Sequence, residues 1–265
     1  MKMCVSTVVD SRYQYFIPMF VQSMKINYPE YHVKIFGHGF VDYDVFKYFD
    51  QKQYQYLTGS FQGWVYRKWE PISWRFLVNP KYYAEYDYVY VGDIDLIITR
   101  EKVTLLNFHL NEMGETGLTY SNSLRNSKHW KGCQSLTGLH FASRKWFEQT
   151  EKARQKYAAL VKAGREGDKR EYDGHMLYLM CKESGLNTPK KYPLIERHHG
   201  LHAGSFKLMS RNAKLKKRLG IDKCRIWAAM CEKPEFQEAL AMTKRDKWTA
   251  QQVGMLDNFC KKRLK

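Results

Sequence analysis

The feature that most constrains this fold is the run Tyr86-Asp87-Tyr88-Val89-Tyr90-Val91-Gly92-Asp93-Ile94-Asp95-Leu96-Ile97-Ile98, aromatic and β-branched residues with two aspartates inside it. It predicts a strand buried in a sheet, because near-continuous apolar runs of this kind suit strands covered on both faces. Asp93 and Asp95 stand at alternate positions, so an extended chain points both carboxylates to one side. Two acids at a strand end are costly unless a cation or hydrogen-bond donors compensate them. Their oxygens suit a hard divalent ion, Mn2+ or Mg2+, that keeps positions open for phosphate. The alternative is a turn after an edge strand with both acids solvated.

The flanking sequence reads as α/β. Met3 to Val9 predicts a short buried strand with Asp10-Ser11 as a polar turn after it, and Phe16, Phe20 and Met24 recur at helical spacing with Pro18 in the first turn. His32 to Phe36 predicts a second strand closed by Gly37-His38-Gly39, a βαβ opening that favours a parallel sheet. Asp42 to Tyr56 has no clean period and reads as helix or loop, and Tyr66 to Leu77 as a helix carrying Arg67, Lys68 and Arg75. Gly117 to Tyr120 and Leu136 to Ala142 predict short strands, Lys145 to Val161 and Tyr172 to Glu183 helices, and Arg197 to Ser205 a loop. From Arg211 onward the chain predicts short basic helices, one of them amphipathic around Trp248 to Phe259.

A length of 265 residues fits one large α/β domain or a core with a small appendage. The absence of a Walker loop, of GxGxxG and of GxSxG argues against P-loop, dinucleotide and serine-hydrolase chemistry. Six cysteines without a CxxC pair argue against zinc and read as reduced thiols of a cytosolic protein. Met3 to Val9 is too short and broken for a signal peptide, and no run reaches the roughly 20 apolar residues of a membrane span. The expected location is the cytoplasm, with room for peripheral contact on the cytoplasmic face of a membrane. A net charge of +17 calls for an anionic partner, and Phe206 to Lys265 holds sixteen Lys and Arg against six Asp and Glu. Trp248, Val253, Leu256 and Phe259, next to Lys261, Lys262, Arg263 and Lys265, fit an apolar face lying on an anionic bilayer; packed helices with a solvated basic face fit equally.

The strand ending in Asp10, then Arg75, then the segment with Asp93-Ile94-Asp95, together resemble the donor half of GT-A glycosyltransferases, particularly those similar to glycosyltransferase family 8. Three later segments follow in that family's order. Ser135-Leu136-Thr137-Gly138-Leu139-His140-Phe141 resembles its Asn-x-Gly-Val strand, Tyr172-Asp173-Gly174-His175 its Asp-Gln-Asp helix start, and His202-Ala203-Gly204-Ser205-Phe206-Lys207 its closing His loop. Thr137 replaces the family's Asn, Gly174 and His175 replace Gln and Asp, and the His-to-Gly spacing is one residue shorter. These departures leave the sugar and the anomeric outcome open.

The resemblance covers roughly Met1 to Lys207. It implies a GT-A (Rossmann-like) nucleotide-diphospho-sugar transferase fold, with a mostly parallel central sheet, flanking helices and a helical C-terminal tail. The implied organisation is a catalytic domain over 1–207, divided into a nucleotide-binding half (1–100) and an acceptor half (101–207), then a basic helical segment over 208–265. The implied activity is metal-dependent transfer of a hexose from a nucleotide sugar, a UDP-sugar first, to a hydroxyl of a glycan or lipid-linked glycan, as in polysaccharide biosynthesis. Asp93, Asp95 and His202 would hold Mn2+ or Mg2+. Asp10, Tyr13, Arg75, Asp93, Thr137, Gly138, Gly204 and Lys207 would bind the donor, and Asp173 and His175 would serve acid–base chemistry. Read without the family, Asp10 and Asp173 equally fit helix caps, Tyr13 core packing, Arg75 an ion pair, and His202 and Lys207 solvated charge. Two rival functions are a Mg2+-dependent phosphatase of the haloacid-dehalogenase type and a basic nucleic-acid-binding protein, although no specific nucleic-acid motif is present.

Overall fold

The structure, a computed structural model, describes residues 1–38, 42–49, 54–57, 73–125, 134–162, 173–189, 200–204 and 220–265. In chain order the elements are β1 (Met3–Asp10), α1 (Ile17–Asn27), β2 (His32–His38), β3 (Tyr54–Leu57), β4 (Tyr88–Val91), β5 (Leu96–Ile98), α2 (Leu105–Thr116), β6 (Tyr120–Ser121), β7 (Leu124–Arg125), β8 (Ser135–Leu136), β9 (His140–Ser143), α3 (Arg144–Lys162), α4 (Asp173–Glu183), β10 (Gly200–His202), α5 (Ile221–Cys231), α6 (Pro234–Thr243) and α7 (Lys247–Leu264).

Six strands form the central sheet in the order β3-β2-β1-β4-β9-β6. β3, β2, β1 and β4 are parallel, while β9 runs antiparallel to both β4 and β6. β1 shows why the sheet lies inside: Met3, Val5 and Val9 join one hydrophobic core and Cys4 the other, so both faces are covered. The first core takes in α1, whose Phe20 and Met24 are buried, together with Trp227 of α5, Phe236 of α6 and Val253 and Leu256 of α7. The second lies under α3 and α4, around Trp74, Trp146 and Leu177. The strand order reverses between β1 and β4, and in α/β sheets ligands bind in the crevice beyond the carboxyl ends of strands at such a point. Asp10 ends β1, and Asp93 follows β4 on the same side.

Several sequence expectations are corrected. The run from Tyr86 to Ile98 is two strands, because the chain leaves the β1 ladder after Gly92, whose amide donates to the Ser6 carbonyl (2.9 Å), and turns, the Leu96 amide donating to the Asp93 carbonyl (3.2 Å). Asp93 and Asp95 therefore converge through a turn rather than through strand alternation. Asp42 to Tyr56 holds a 3-10 helix (Tyr43–Tyr48) and then β3, a strand that the sequence pattern hides. Leu136 to Ala142 is split into β8 and β9 by Thr137–Leu139. The loop read over Arg197 to Ser205 contains β10, which pairs antiparallel with β5. Ser73 and Trp74 are helical but Arg75 sits in the turn after them; the earlier part of that expected helix lies outside the described residues. The sequence reading assigned nothing to α2, which Thr104 caps through the Asn107 amide (3.3 Å) and Gly117 ends at φ 67°.

The apolar stripe of α7 faces the protein: Val253 and Leu256 are buried in the first core, so this face is not free for a bilayer. The described cysteines Cys4, Cys181, Cys224, Cys231 and Cys260 are free thiols. Among the described residues no helix is long and apolar enough to cross a membrane.

Candidate functional site

The site is assembled by register. β10 pairs with β5 so that His202 stands opposite Leu96, beside the turn that carries the two aspartates. The Ala203 amide donates to the Asp95 carbonyl (2.9 Å), which fixes the turn against β10. His202 Nε2 lies 3.2 Å from Asp93 Oδ2 and 3.4 Å from Asp95 Oδ1. One ligand atom from each of the three residues falls within 4.8 Å of the others. Gly204 completes the fit, since a Cβ there would collide with the Asp95 carboxylate.

Arg75 organises the other side. Its buried guanidinium donates through Nη1 to Asp93 Oδ1 and through Nη2 to Asp173 Oδ2, bridging the turn after β4 to the start of α4. Gly138 leaves the space the guanidinium fills, since a Cβ would collide with Nη2. Gly174, one of the departures from the family pattern, has a local reason: a Cβ would run into the Leu136 carbonyl. His175 lies with Nδ1 2.6 Å from the Gln134 carbonyl; a carbonyl only accepts, so Nδ1 carries the proton and Nε2 of the neutral ring is left to accept.

These contacts set the charges. Burial opposes ionisation of Asp93, but the Arg75 guanidinium and the His202 ring outweigh it and hold the carboxyl well below its ordinary value. Burial pushes Asp95 up, and its neighbour Asp93 adds to this against the opposing pull of His202. His202 is pushed up to about 9: burial favours the neutral ring, but the Asp95 and Asp93 carboxylates prevail. Burial likewise disfavours the charge on Arg75, which Asp93 and Asp173 more than restore. Two carboxylates and an imidazole, converging where burial makes unneutralised acid costly, fit a hard divalent cation.

The remaining expected residues are placed less directly. The Asp10 carboxylate accepts from the Arg12 and Tyr13 amides (3.0 and 3.1 Å) and from Arg12 Nε and Nη2 (3.1 and 2.8 Å), so Asp10 holds the turn after β1 and the Arg12 side chain. Burial and the nearby charge of Asp95 raise the Tyr13 hydroxyl to about 12. Thr137 Oγ1 is turned inward, 2.7 Å from Asn122 Oδ1 and 3.0 Å from the Leu139 carbonyl. Lys207, and His198 and His199 beside the closing loop, lie outside the described residues.

Asn122 was not anticipated. It is buried, and its Oδ1 accepts from the Thr137 amide (2.9 Å) and the Ser123 amide (2.6 Å), while its Nδ2 donates to the Thr137 carbonyl (3.2 Å) and to His140 Nδ1 (3.0 Å). It holds the Thr137–Gly138 turn against Arg75. Arg125 of β7 was also passed over; burial lowers its pKa, and Asp173 and Asp93 oppose that through their charges. Neither residue carries a local motif, because the partners that give it its role, Thr137 for Asn122 and Asp93 and Asp173 for Arg125, are distant in sequence. A cavity of about 480 Å3, lined by residues including Pro80, Tyr83, Tyr86, Val89 and Phe147, shares no residue with this cluster.

No protein-family model matches the chain, and no curated protein matches it in sequence. Among solved structures it is similar to the glycosyltransferase GlyE of Streptococcus pneumoniae TIGR4. Two GlyE structures, one an apo form, each give a TM-score of 0.50 at 13% and 14% identity, over 98% of this chain and 64% of GlyE. The chain thus spans a little under two thirds of GlyE's length. A galactosyltransferase, LgtC, solved with donor and acceptor sugar analogues, gives a TM-score of 0.45 at 12% identity over 72% of this chain and 73% of LgtC. The likeness to GlyE is one of fold, and it bears out the GT-A architecture expected from the sequence, a mostly parallel sheet with flanking helices.

Proposed function

We propose that this chain is a metal-dependent glycosyltransferase that moves a hexose from a nucleotide sugar, a UDP-sugar first, to a hydroxyl of a glycan or lipid-linked glycan. One observation carries the reading: Asp93, Asp95 and His202 converge beyond the carboxyl ends of β1 and β4, with Arg75 tying Asp93 to Asp173. That combines a cation site with a fixed cationic side chain where α/β sheets bind phosphorylated ligands.

Asp93, Asp95 and His202 would hold Mn2+ or Mg2+. When bound, the ion supplies positive charge to the diphosphate as the bond to the anomeric carbon breaks. Arg75, locked by two carboxylates, stays charged and orients the donor's phosphate or sugar hydroxyls. Lys207 is proposed to neutralise diphosphate charge. Asp173 Oδ2 is held by Arg75 Nη2, so its proposed part is to position the guanidinium. His175 Nε2 is the atom proposed to accept the acceptor's hydroxyl proton as that oxygen joins the anomeric carbon. The phosphatase alternative needs a free Asp93 nucleophile, yet Oδ1 is taken by Arg75 and Oδ2 faces His202. Contact of the basic C-terminal segment with an anionic membrane is retained only for its charged face.

The test is a screen of UDP- and GDP-sugars for slow hydrolysis by the full chain with Mn2+ or Mg2+, which needs no known acceptor. Hydrolysis that the Asp95→Asn variant loses while remaining folded supports the proposal. A folded wild-type chain that hydrolyses and binds none of the donors removes it.

A further inference from the structure

Trp248 is 38% exposed, whereas Trp74, Trp146 and Trp227 are buried. It is held rigidly near the start of α7: the N-cap Asp246 accepts from the Thr249 amide (2.8 Å), and the buried Thr249 hydroxyl donates to the Thr243 carbonyl (2.6 Å). Its ring meets Tyr13 edge to face, with centroids 5.1 Å apart and planes at 72°, and Phe16 at 5.7 Å and 90°. Tyr13 follows the end of β1, and the charges of Asp95 and Asp93 reach its hydroxyl. Beside it the Arg12 guanidinium, half exposed, is clamped on Asp10. Aromatic surface therefore lies next to the carboxylate cluster, at the same end of the sheet.

We propose that Trp248 extends the donor site expected around Tyr13 and receives the nucleobase, so that α7 completes a site otherwise built by residues of the sheet and its loops. The inference rests on the glycosyltransferase reading. A nucleoside diphosphate has two chemically unlike ends. Its phosphates belong with the cation held by Asp93, Asp95 and His202, and its flat base needs a partly exposed aromatic face a short way off. Tyr13 touches Trp248 and follows β1, whose carboxyl end lies beside that of the parallel strand β4, which gives the ligand a direction: phosphates over the turn after β4, base over the end of β1. Stacking tolerates any base, since each has a π-face, so Trp248 contributes affinity more than choice of base.

The experiment is calorimetric titration of the full chain with Mn2+ present, using UDP, GDP and inorganic pyrophosphate as probes, for wild type, Trp248→Ala and Trp248→Phe, each checked by circular dichroism melting. We expect Trp248→Ala to weaken the tighter nucleoside diphosphate by roughly tenfold or more and Trp248→Phe by less, with pyrophosphate binding unchanged in both. Nucleotide affinity equal to wild type in Trp248→Ala overturns the proposal; so does a loss that pyrophosphate shares equally, which marks a role in packing. A wild-type chain that binds none of the three probes defeats the glycosyltransferase reading itself, a result distinct from either of these.

Discussion

His202 shows how a single residue sets the conditions under which the site works. Its pKa of about 9 lies above the ordinary 6.5, so its charge stabilises the metal-free fold fully below pH 6.5 and stops doing so as pH rises through 9. A cation needs the neutral ring and must displace that proton. Mn2+ affinity should therefore rise between pH 7 and pH 9, measured by titration in a non-chelating buffer; an affinity flat over that range would exclude His202 as a ligand. Asn122 acts on the fold instead. Replacing it with Ala removes the donor to the buried Thr137 carbonyl, while the Thr137 amide keeps the Ser123 carbonyl, and should cost about 1–3 kcal/mol in urea unfolding. The aspartates were legible because acids inside an apolar run stand out. Asn122, in Ser121-Asn122-Ser123, looks like any turn residue until Thr137 is brought against it.

At the scale of elements, sequence periodicity located α1, α3 and α4 and missed α2 and the strands β3 and β10. α3 and α4 lie within one residue of the expected bounds, and α1 lies where Phe16, Phe20 and Met24 recur at helical spacing. β10 is three residues long, follows His198 and His199 in sequence and begins on a glycine, so nothing local marks it as a strand. Yet β10 decides the site, because its register against β5 carries His202 to the aspartates. The break at Gly92 was equally hidden: the apolar run continues through it, and the Ser6 carbonyl that receives its amide belongs to β1. The close packing of Gly204 on Asp95 gives a test of that placement. Gly204→Ala should weaken Mn2+ binding at least tenfold, read by titration, and shift the melting temperature by only a few degrees. An unchanged Mn2+ affinity would mean that the Asp95 carboxylate does not hold the ion.

For the whole molecule, the basic C-terminal helices are part of the main core. Trp227, Phe236, Val253 and Leu256 pack with Val5, Phe20 and Ile97, residues of β1, α1 and β5. The sequence showed that α7 is amphipathic but not what its apolar face meets, since a bilayer and a protein core select the same residues. Deleting residues 245–265 should lower the melting temperature markedly and expose the first core to limited proteolysis; a truncated chain melting like the full one would show that α7 is dispensable. The same arrangement has a consequence during synthesis. The first strand and helix leave the ribosome early, but the core that covers one face of that strand is closed by residues 220–265. That core, with α1 already in place, should remain incompletely covered and available to a chaperone until translation has passed α7.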